Sequence, residues 1–333
     1  MTYSDNSLGK SQNKLPYSLF VIPRIDSLIQ RYFLIIGNIG RISKKSTNVI
    51  AVGAFLETYI ASLIFRFKYV AKVPGDIVWE RARNNGLTDL TIEEFQKARL
   101  SLRYRFFRWI FTRSLLRATH VIVPSSGLYS LCLAWGIPDY KLRLIRNSVE
   151  IEKYLGTQRV EQLFDVVTVC RLVQWKGVDE LIQFCSSRGL TVAVIGDGPE
   201  RKKLESLSKS LDAKVKFFGD IQEREVIKLL GESGIFVLNS TYEGLPHALV
   251  EARATGLVSV ARDGTGSSEV INDGIDGFLV RKDRNFSETM DLALAESKQA
   301  NGMGQKASHD SQMRFNREIN YKAILNLLIE TQS

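Results

Sequence analysis

From Asp165 onward the chain alternates short apolar runs with amphipathic stretches. DVVTVC (165–170), LTVAVIG (190–196), KVKFFG (214–219), GIFVLNS (234–240), LVSVAR (257–262) and GFLV (277–280) predict strands. Continuous apolar runs of this length suit strands covered on both faces. Between them, VDELIQFC (178–185), PERKKLESLSKSL (199–211), EREVIKLLGES (223–233) and HALVEARAT (247–255) predict helices, followed by a short one near Ser268–Asn272. Pro199 is expected near a first turn and Gly256 just past a last one. Strands separated by helices predict a parallel sheet with helices on both faces.

The pattern before residue 150 is less regular. YSLFVI (17–22), TNVIAV (47–52), YVAKVP (69–74) and THVIVPS (119–125) predict strands, 99–117 a helix, and 145–158 a polar linker. Arg317–Ile329 is apolar at helical spacing and predicts a C-terminal helix, and residues 1–14 form a polar tail. The expected fold class is therefore α/β, with Rossmann-like domains over 1–150 and 151–304. Residues 305–333 would carry a helix returning to the first domain. Two such domains leave a cleft between the carboxyl ends of their sheets, where open α/β folds bind ligands.

Composition narrows the class. The 333 residues are 44% hydrophobic and 24% charged, which fits a globular chain. Three cysteines (Cys132, Cys170, Cys185) are too few for a disulfide framework and predict a reducing compartment. The opening MTYSDNSLGKSQNK has no apolar signal-peptide core, and the longest apolar stretch, Ala54–Phe67, contains Glu57 and Arg66 and is too short to span a bilayer. A cytoplasmic protein is expected. Charge is uneven: residues 1–150 hold 22 Lys and Arg against 10 Asp and Glu, the remainder 23 against 26. The densest basic segment is 99–117, where Arg99, Arg103, Arg105, Arg108, Arg113 and Arg117 alternate with Phe106, Phe107, Trp109, Ile110 and Phe111. A basic helix with aromatic side chains suits the surface of an anionic membrane, although the same pattern also describes a domain helix with a solvated face. No basic run elsewhere extends it, so nucleic acid is not expected as a partner.

Several kinds of chemistry lack their residues. With three histidines (His120, His247, His309) no multi-histidine metal site can form. The nucleophile-elbow, P-loop and dinucleotide-binding motifs are absent, as is any Asp-x-Asp pair. A diphosphate bound here would then meet organic cations. RLVQWKG places Arg171 and Lys176 after the strand 165–170, where guanidinium and ammonium can face such an anion. TYEGLPHALVEA (241–252) sets Glu243 in a loop and Glu251 on the helix that follows. Gly244 and Pro246 shape that loop so that N–H groups at the helix start can point at an anion. Each feature alone also reads as ordinary surface; their conjunction suggests a site.

Together these residues resemble the retaining GT-B glycosyltransferases of glycosyltransferase family 4. The likeness covers 165–282: RLVQWKG matches the family's R-x4-K-G, and IGDGPERKKLE (195–205) its GDGP turn, which reads as structural. FFGDIQEREV (217–226) follows, then EGLPHALVEARATG (243–256) for the E-x7-E signature and GTGSSEVINDGIDGFLV (264–280) for the closing loop. The resemblance implies a nucleotide-sugar donor, UDP- or GDP-linked, as substrate, with no cofactor and no metal. Arg171 and Lys176 would meet its diphosphate, Glu251 its ribose and Glu243 the transferred sugar. Gly244, Leu245, Pro246, His247, Ala248 and Leu249 would line the sugar and phosphates, and Glu269 would brace the cleft. Transfer would proceed with retention to a glycan or lipid-linked acceptor, in cell-surface polysaccharide, lipopolysaccharide or glycolipid synthesis, peripherally on the inner face of the cytoplasmic membrane. The first half departs from the pattern: no Gly-rich strand–loop–helix precedes YSLFVI, so the N-terminal domain is expected to be shortened. In KVPGDIVWERARNNG (72–86), Gly75 stands where relatives often carry His, and Asp76 is expected either on the acceptor side or as a capping carboxylate beside Trp79. Two rival readings are a non-catalytic homologue that binds nucleotide sugar or supports a partner enzyme, and a nucleotide-sugar 2-epimerase using His247.

Overall fold

The computed structural model describes residues 2–3, 21–22, 27–45, 48–157, 161–264, 266–299 and 302–330. The first half begins with β1 (Thr2–Tyr3), which pairs in parallel with β2 (Val21–Ile22), followed by helix α1 (Leu28–Ser43). Then come β3 (Ile50–Ala51), α2 (Phe55–Phe65), β4 (Val70–Lys72), α3 (Ile77–Asn84), α4 (Ile92–Lys97), α5 (Leu102–Arg117), β5 (Val121–Val123), α6 (Ser126–Ala134) and β6 (Leu142–Leu144). Strands β3 to β6 form a parallel sheet in sequential order. Helix starts are fixed locally. The side chains of Asp76 and Ser125 cap α3 and α6, and Thr91 with Glu94 makes a capping box on α4.

The second half contains β7 (Phe164–Val169), α7 (Val178–Ser187), β8 (Val192–Ile195), α8 (Arg201–Ser210), β9 (Val215–Gly219) and α9 (Glu223–Gly231). It continues with β10 (Ser233–Leu238), α10 (His247–Ala254), β11 (Val258–Arg262), β12 (Phe278–Val280), α11 (Phe286–Gln299), α12 (Met303–Arg314) and α13 (Arg317–Glu330). Its six strands are parallel in the order β12-β11-β10-β7-β8-β9. Alternate residues of each strand point to opposite faces. Val166, Val192, Val194, Ile235, Val237 and Val260 pack with α7, α8 and α11, while Val167, Ala193, Ile195, Phe236, Leu238 and Ala261 pack with α10. Burial on both faces is why these strands read as unbroken apolar runs. In this order the chain reverses direction across the sheet between β7 and β10, and ligands of doubly wound sheets bind beyond the strand ends at that point.

Several expectations change. Leu142–Leu144 is a strand that the sequence pattern does not predict, because it is three residues long and carries Arg143. Pro199 lies outside α8, which begins at Arg201; the preceding turn is tied down where Glu200 N–H donates to the Leu172 carbonyl at 3.0 Å. The segment near Ser268 is a single 3-10 turn, Ser267–Glu269. The polar linker is anchored, since Val149, Ile151 and Tyr154 are buried in the second half's core with Phe315. Helix α13 returns to the first half, where Leu327 and Leu328 cover Val70, Ile122 and Ile145. The remainder of the expected strand 17–22, most of the tail 1–14 and linker residue 158 lie outside the described residues.

Candidate active site

The two loops leaving β7 and β10 meet in space. Residues 174–176 make a 3-10 turn, and Gly177 follows with φ 61°, a left-handed conformation that frees the chain to enter α7. Lys176 Nζ then donates to Glu243 Oε1 at 2.5 Å, with side chains only 15% and 13% exposed. Arg171 is exposed on the same loop and lies close enough to Lys176 and Glu243 for all three charges to act on one neighbour, Glu80. Immediately after Glu243, Gly244 passes so near the first half that a β-carbon there would overlap the Pro74 carbonyl; one at Gly266 would overlap the Gly244 carbonyl. Three backbone segments stack at this spot, and Gly244→Ala is expected to cost about 2 kcal/mol of stability through overpacking, read as a lower urea midpoint.

Pro246 precedes α10, and Leu245, Pro246 and Leu249 are buried, with Asn147 Nδ2 donating to the Leu245 carbonyl at 3.1 Å. His247 and half-buried Ala248 open the helix at its positive end. The His247 ring keeps solvent on one side, yet the wall around it and the Lys72 ammonium from β4 hold its pKa below the ordinary value. Lys72 is lowered by its own burial. Glu251 lines a cavity of about 230 Å³ with His247, Tyr154, Glu223, Lys153 and Arg317. Burial and the charge of Glu223 raise its pKa, against a hydrogen bond from Tyr154 and the Lys153 charge.

Asp76 is corrected by the structure. Its carboxylate is fully buried and accepts from Val78 N–H at 3.0 Å, Trp79 N–H at 3.1 Å, Gln96 Nε2 at 3.0 Å and Arg108 Nη2 at 2.6 Å. It ties α3, α4 and α5 together and offers nothing to the cleft. Only its backbone faces across, where Asp76 N–H donates to the Tyr242 hydroxyl at 2.7 Å. Arg108 thus points inward, unlike the other arginines expected on one basic face. Glu269 does join the two halves: its Oε1 accepts from Ser126 N–H at 2.5 Å, Ser126 Oγ at 2.8 Å and Gly127 N–H at 3.3 Å, at the start of α6.

Sequence reasoning missed the aromatic contact that joins the halves and the charged groups facing the cleft from the first half. Trp79 meets Tyr242 edge-to-face at 5.0 Å and Trp175 at 5.5 Å between centroids, and these two side chains with Val173 complete the first half's core from the second half. Glu80 was legible in principle. It follows Asp76 by four residues, one turn along the same helix face, after a strand end. Among the described residues no cluster of three or more His, Cys, Asp or Glu is placed to hold a metal ion.

Residues 156–310 match the family model "Glycosyl transferases group 1". This segment is similar to the group 1 glycosyltransferase domains. The chain is 29% identical over 181 residues to the amylovoran biosynthesis glycosyltransferase AmsK of Erwinia amylovora, covering 50% of this chain and 44% of AmsK. It is 28% identical over 160 residues to a GDP-mannose-dependent alpha-mannosyltransferase of Corynebacterium glutamicum, covering 48% of this chain and 37% of that one. The chain spans about half the length, or less, of the curated relatives it matches. In structure it is similar to Anabaena HepE in complex with UDP and glucose, with a TM-score of 0.75 and 19% identity over 93% of this chain and 85% of HepE. The fold is GT-B, two α/β domains facing across a cleft, and residues 156–310 supply the Lys176–Glu243 wall of it.

Proposed function

We propose that the chain is a retaining glycosyltransferase that moves a sugar from a UDP- or GDP-sugar to a glycan or lipid-linked acceptor in polysaccharide or glycolipid synthesis. The observation that carries this reading is the Lys176–Glu243 pair, set where the loops of β7 and β10 converge and beside the start of α10. Support for the donor class comes from the crystal structure of HepE, which holds UDP and glucose, and from the GDP-mannose-dependent relative. The buried, paired cation at the cleft also speaks for catalysis and against a role confined to supporting a partner.

In this reading the diphosphate lies against Lys176, Arg171 and the N–H groups of His247 to Leu249. Glu251 and Tyr154 hold the ribose, and Glu243 a hydroxyl of the transferred sugar. The acceptor oxygen bonds to the anomeric carbon on the face from which the phosphate oxygen departs, and the acceptor's proton passes to that oxygen. The charge growing on the leaving diphosphate is met by cations already in place, which is how preorganised electrostatics lower a barrier. The assay uses labelled UDP- and GDP-sugars with octyl glycosides and polyprenyl-diphosphate-linked sugars as acceptors. The expected product keeps the donor's anomeric configuration by NMR; donor binding without transfer to any acceptor contradicts the reading.

The first half would bring this cleft to an anionic membrane surface. Helices α1, α2 and α5 pack side by side, and α5 exposes Leu102 (80%), Phe106 (57%) and Trp109 (53%). The Phe106 and Trp109 rings stack at 6.0 Å, and exposed Arg103, Arg105, Arg113 and Arg117 surround them. Ile29 and Phe33 of α1 and Ile64 of α2 are exposed apolar side chains of the neighbouring helices. Among the described residues no helix is long and apolar enough to cross a membrane. Replacing Phe106 and Trp109 by Ser is expected to weaken binding to phosphatidylglycerol vesicles on the order of tenfold or more, because each ring gives up about 1.5–3 kcal/mol of apolar burial. Vesicle co-sedimentation reads the loss, which should grow smaller for phosphatidylcholine vesicles.

A further inference from the structure

Among the described residues, Glu80 is not one of the groups whose hydrogen bonds tie α3 to α4 and α5. It lies on the first turns of α3, half-buried, with its carboxylate folded over Gly75 so that a β-carbon at position 75 would collide with Oε1. The same β-carbon would stand 3.1 Å from the Tyr242 hydroxyl, so carboxylate and phenol converge where the two halves touch. Around it stand Asp76 at the start of its own helix, Lys176 and Arg171 on the loop after β7, and Glu243 and Tyr242 on the loop after β10. Asp76, Lys176, Arg171 and Glu243 act on it through charge.

That environment disfavours the anion. Burial first, then Asp76, with Glu243 adding to them, outweigh Lys176 and Arg171, and the Glu80 pKa rises from 4.5 to about 7. The sign for stability follows from linkage. A carboxyl whose folded pKa exceeds its unfolded value stabilises the fold only while protonated, and that contribution is lost as the pH rises from about 4.5 to about 7. Above about 7 the ionised group opposes folding. A polar group kept at a stability cost, facing a cleft, is the pattern of a side chain retained for a ligand.

We propose that Glu80 is an acceptor-binding residue, whose carboxylate takes a hydrogen bond from a hydroxyl of the incoming acceptor on the side of the cleft opposite the Lys176–Glu243 pair. This rests on the glycosyltransferase reading above. The location decides between the two substrates: the groups assigned to the donor belong to residues 171–251, and Glu80 approaches their junction from the other domain. An acceptor hydroxyl can donate to it, and an ionised carboxylate accepts more strongly than a neutral one. Acceptor use should therefore climb as the pH passes through about 7.

Glu80→Gln and Glu80→Asp test this, with whichever octyl glycoside or polyprenyl-diphosphate sugar gives the fastest transfer by the native protein. Glu80→Gln is expected to lower kcat/KM for the acceptor on the order of tenfold or more at pH 8 and to flatten its rise near pH 7. Its nucleotide Kd should stay within about twofold of the native value, and its unfolding midpoint at pH 8 should equal or exceed the native one. Glu80→Asp, which keeps the charge, should retain a rise with pH and fall between the two. Acceptor kcat/KM within twofold of native in Glu80→Gln, with the same pH profile, overturns the proposal, as does a loss that resides wholly in nucleotide affinity. If the native protein binds nucleotide and transfers sugar to none of the acceptors, the glycosyltransferase reading fails first and takes this proposal with it.

Discussion

Lys176→Ala is expected to slow sugar transfer by about 100-fold or more, a loss of about 3 kcal/mol in transition-state stabilisation. The size follows from the surroundings. Lys176 and Glu243 are mostly withdrawn from water and 2.5 Å apart, so a charge added beside them is poorly screened. Removing the ammonium does two things: it deletes a partner for the leaving diphosphate and takes from Glu243 the cation that it pairs with. Glu243→Ala is expected to lose a comparable factor by a different route, through the hydroxyl contact to the transferred sugar and the aim of Lys176. Because the two effects share one ion pair, the double substitution should cost less than the sum of the single ones. Single-turnover rates at saturating donor, with unfolding midpoints measured alongside, separate this from a loss of fold. Near-native rates in both variants would remove the site assignment.

The second large effect concerns stability. Asp76→Ala is expected to destabilise the first domain by about 3–5 kcal/mol, the range for taking one partner from a buried ion pair. The carboxylate caps α3 and holds Gln96 of α4 and Arg108 of α5, and the Arg108 guanidinium sits 4.6 Å over the Trp135 ring in a position chosen by that bond. Deleting it leaves a guanidinium, an amide and two N–H groups short of a partner at once. Asp76→Asn preserves the shape and one acceptor, so its loss should be smaller. Urea unfolding of the two variants, read by Trp fluorescence, checks the order, since Trp79 and Trp135 both lie beside the network. Equal stability of Asp76→Ala and the native chain would mean that these bonds are not coupled to the fold.

The second domain was readable because its strands are covered on both faces. A continuous apolar run such as VAVI (192–195) would leave side chains in water if either face were solvated. The loops at the reversal point followed: RLVQWKG and TYEGLPHA carry cations, glycines and a helix start, and parallel topology brings them together. The first domain resisted for physical reasons. Its strands run two or three residues, too short to establish a period, and Leu142–Leu144 is interrupted by Arg143. In α5 arginines surround the helix, so spacing cannot distinguish inward Arg108 from outward Arg105; only the position of Asp76 does. Asp76 was expected at the cleft through the family resemblance of KVPGDIVWERARNNG, and its other reading, a helix cap beside Trp79, is the one the structure shows. Glu80 and Lys72 gained their significance from neighbours more than ninety residues away in the chain, such as Lys176 and His247, and local pattern carries no record of such contacts.

The central claim is that the meeting point of the β7 and β10 loops binds the diphosphate of a nucleotide. Calorimetric titration of UDP and GDP into the native protein and into Lys176→Ala addresses it without requiring any acceptor. One site is expected for at least one of the two nucleotides, with affinity lowered about tenfold or more by Lys176→Ala through loss of a charge-assisted contact. Binding of neither nucleotide, or equal affinity in the native protein, Lys176→Ala and Glu251→Ala, would contradict it.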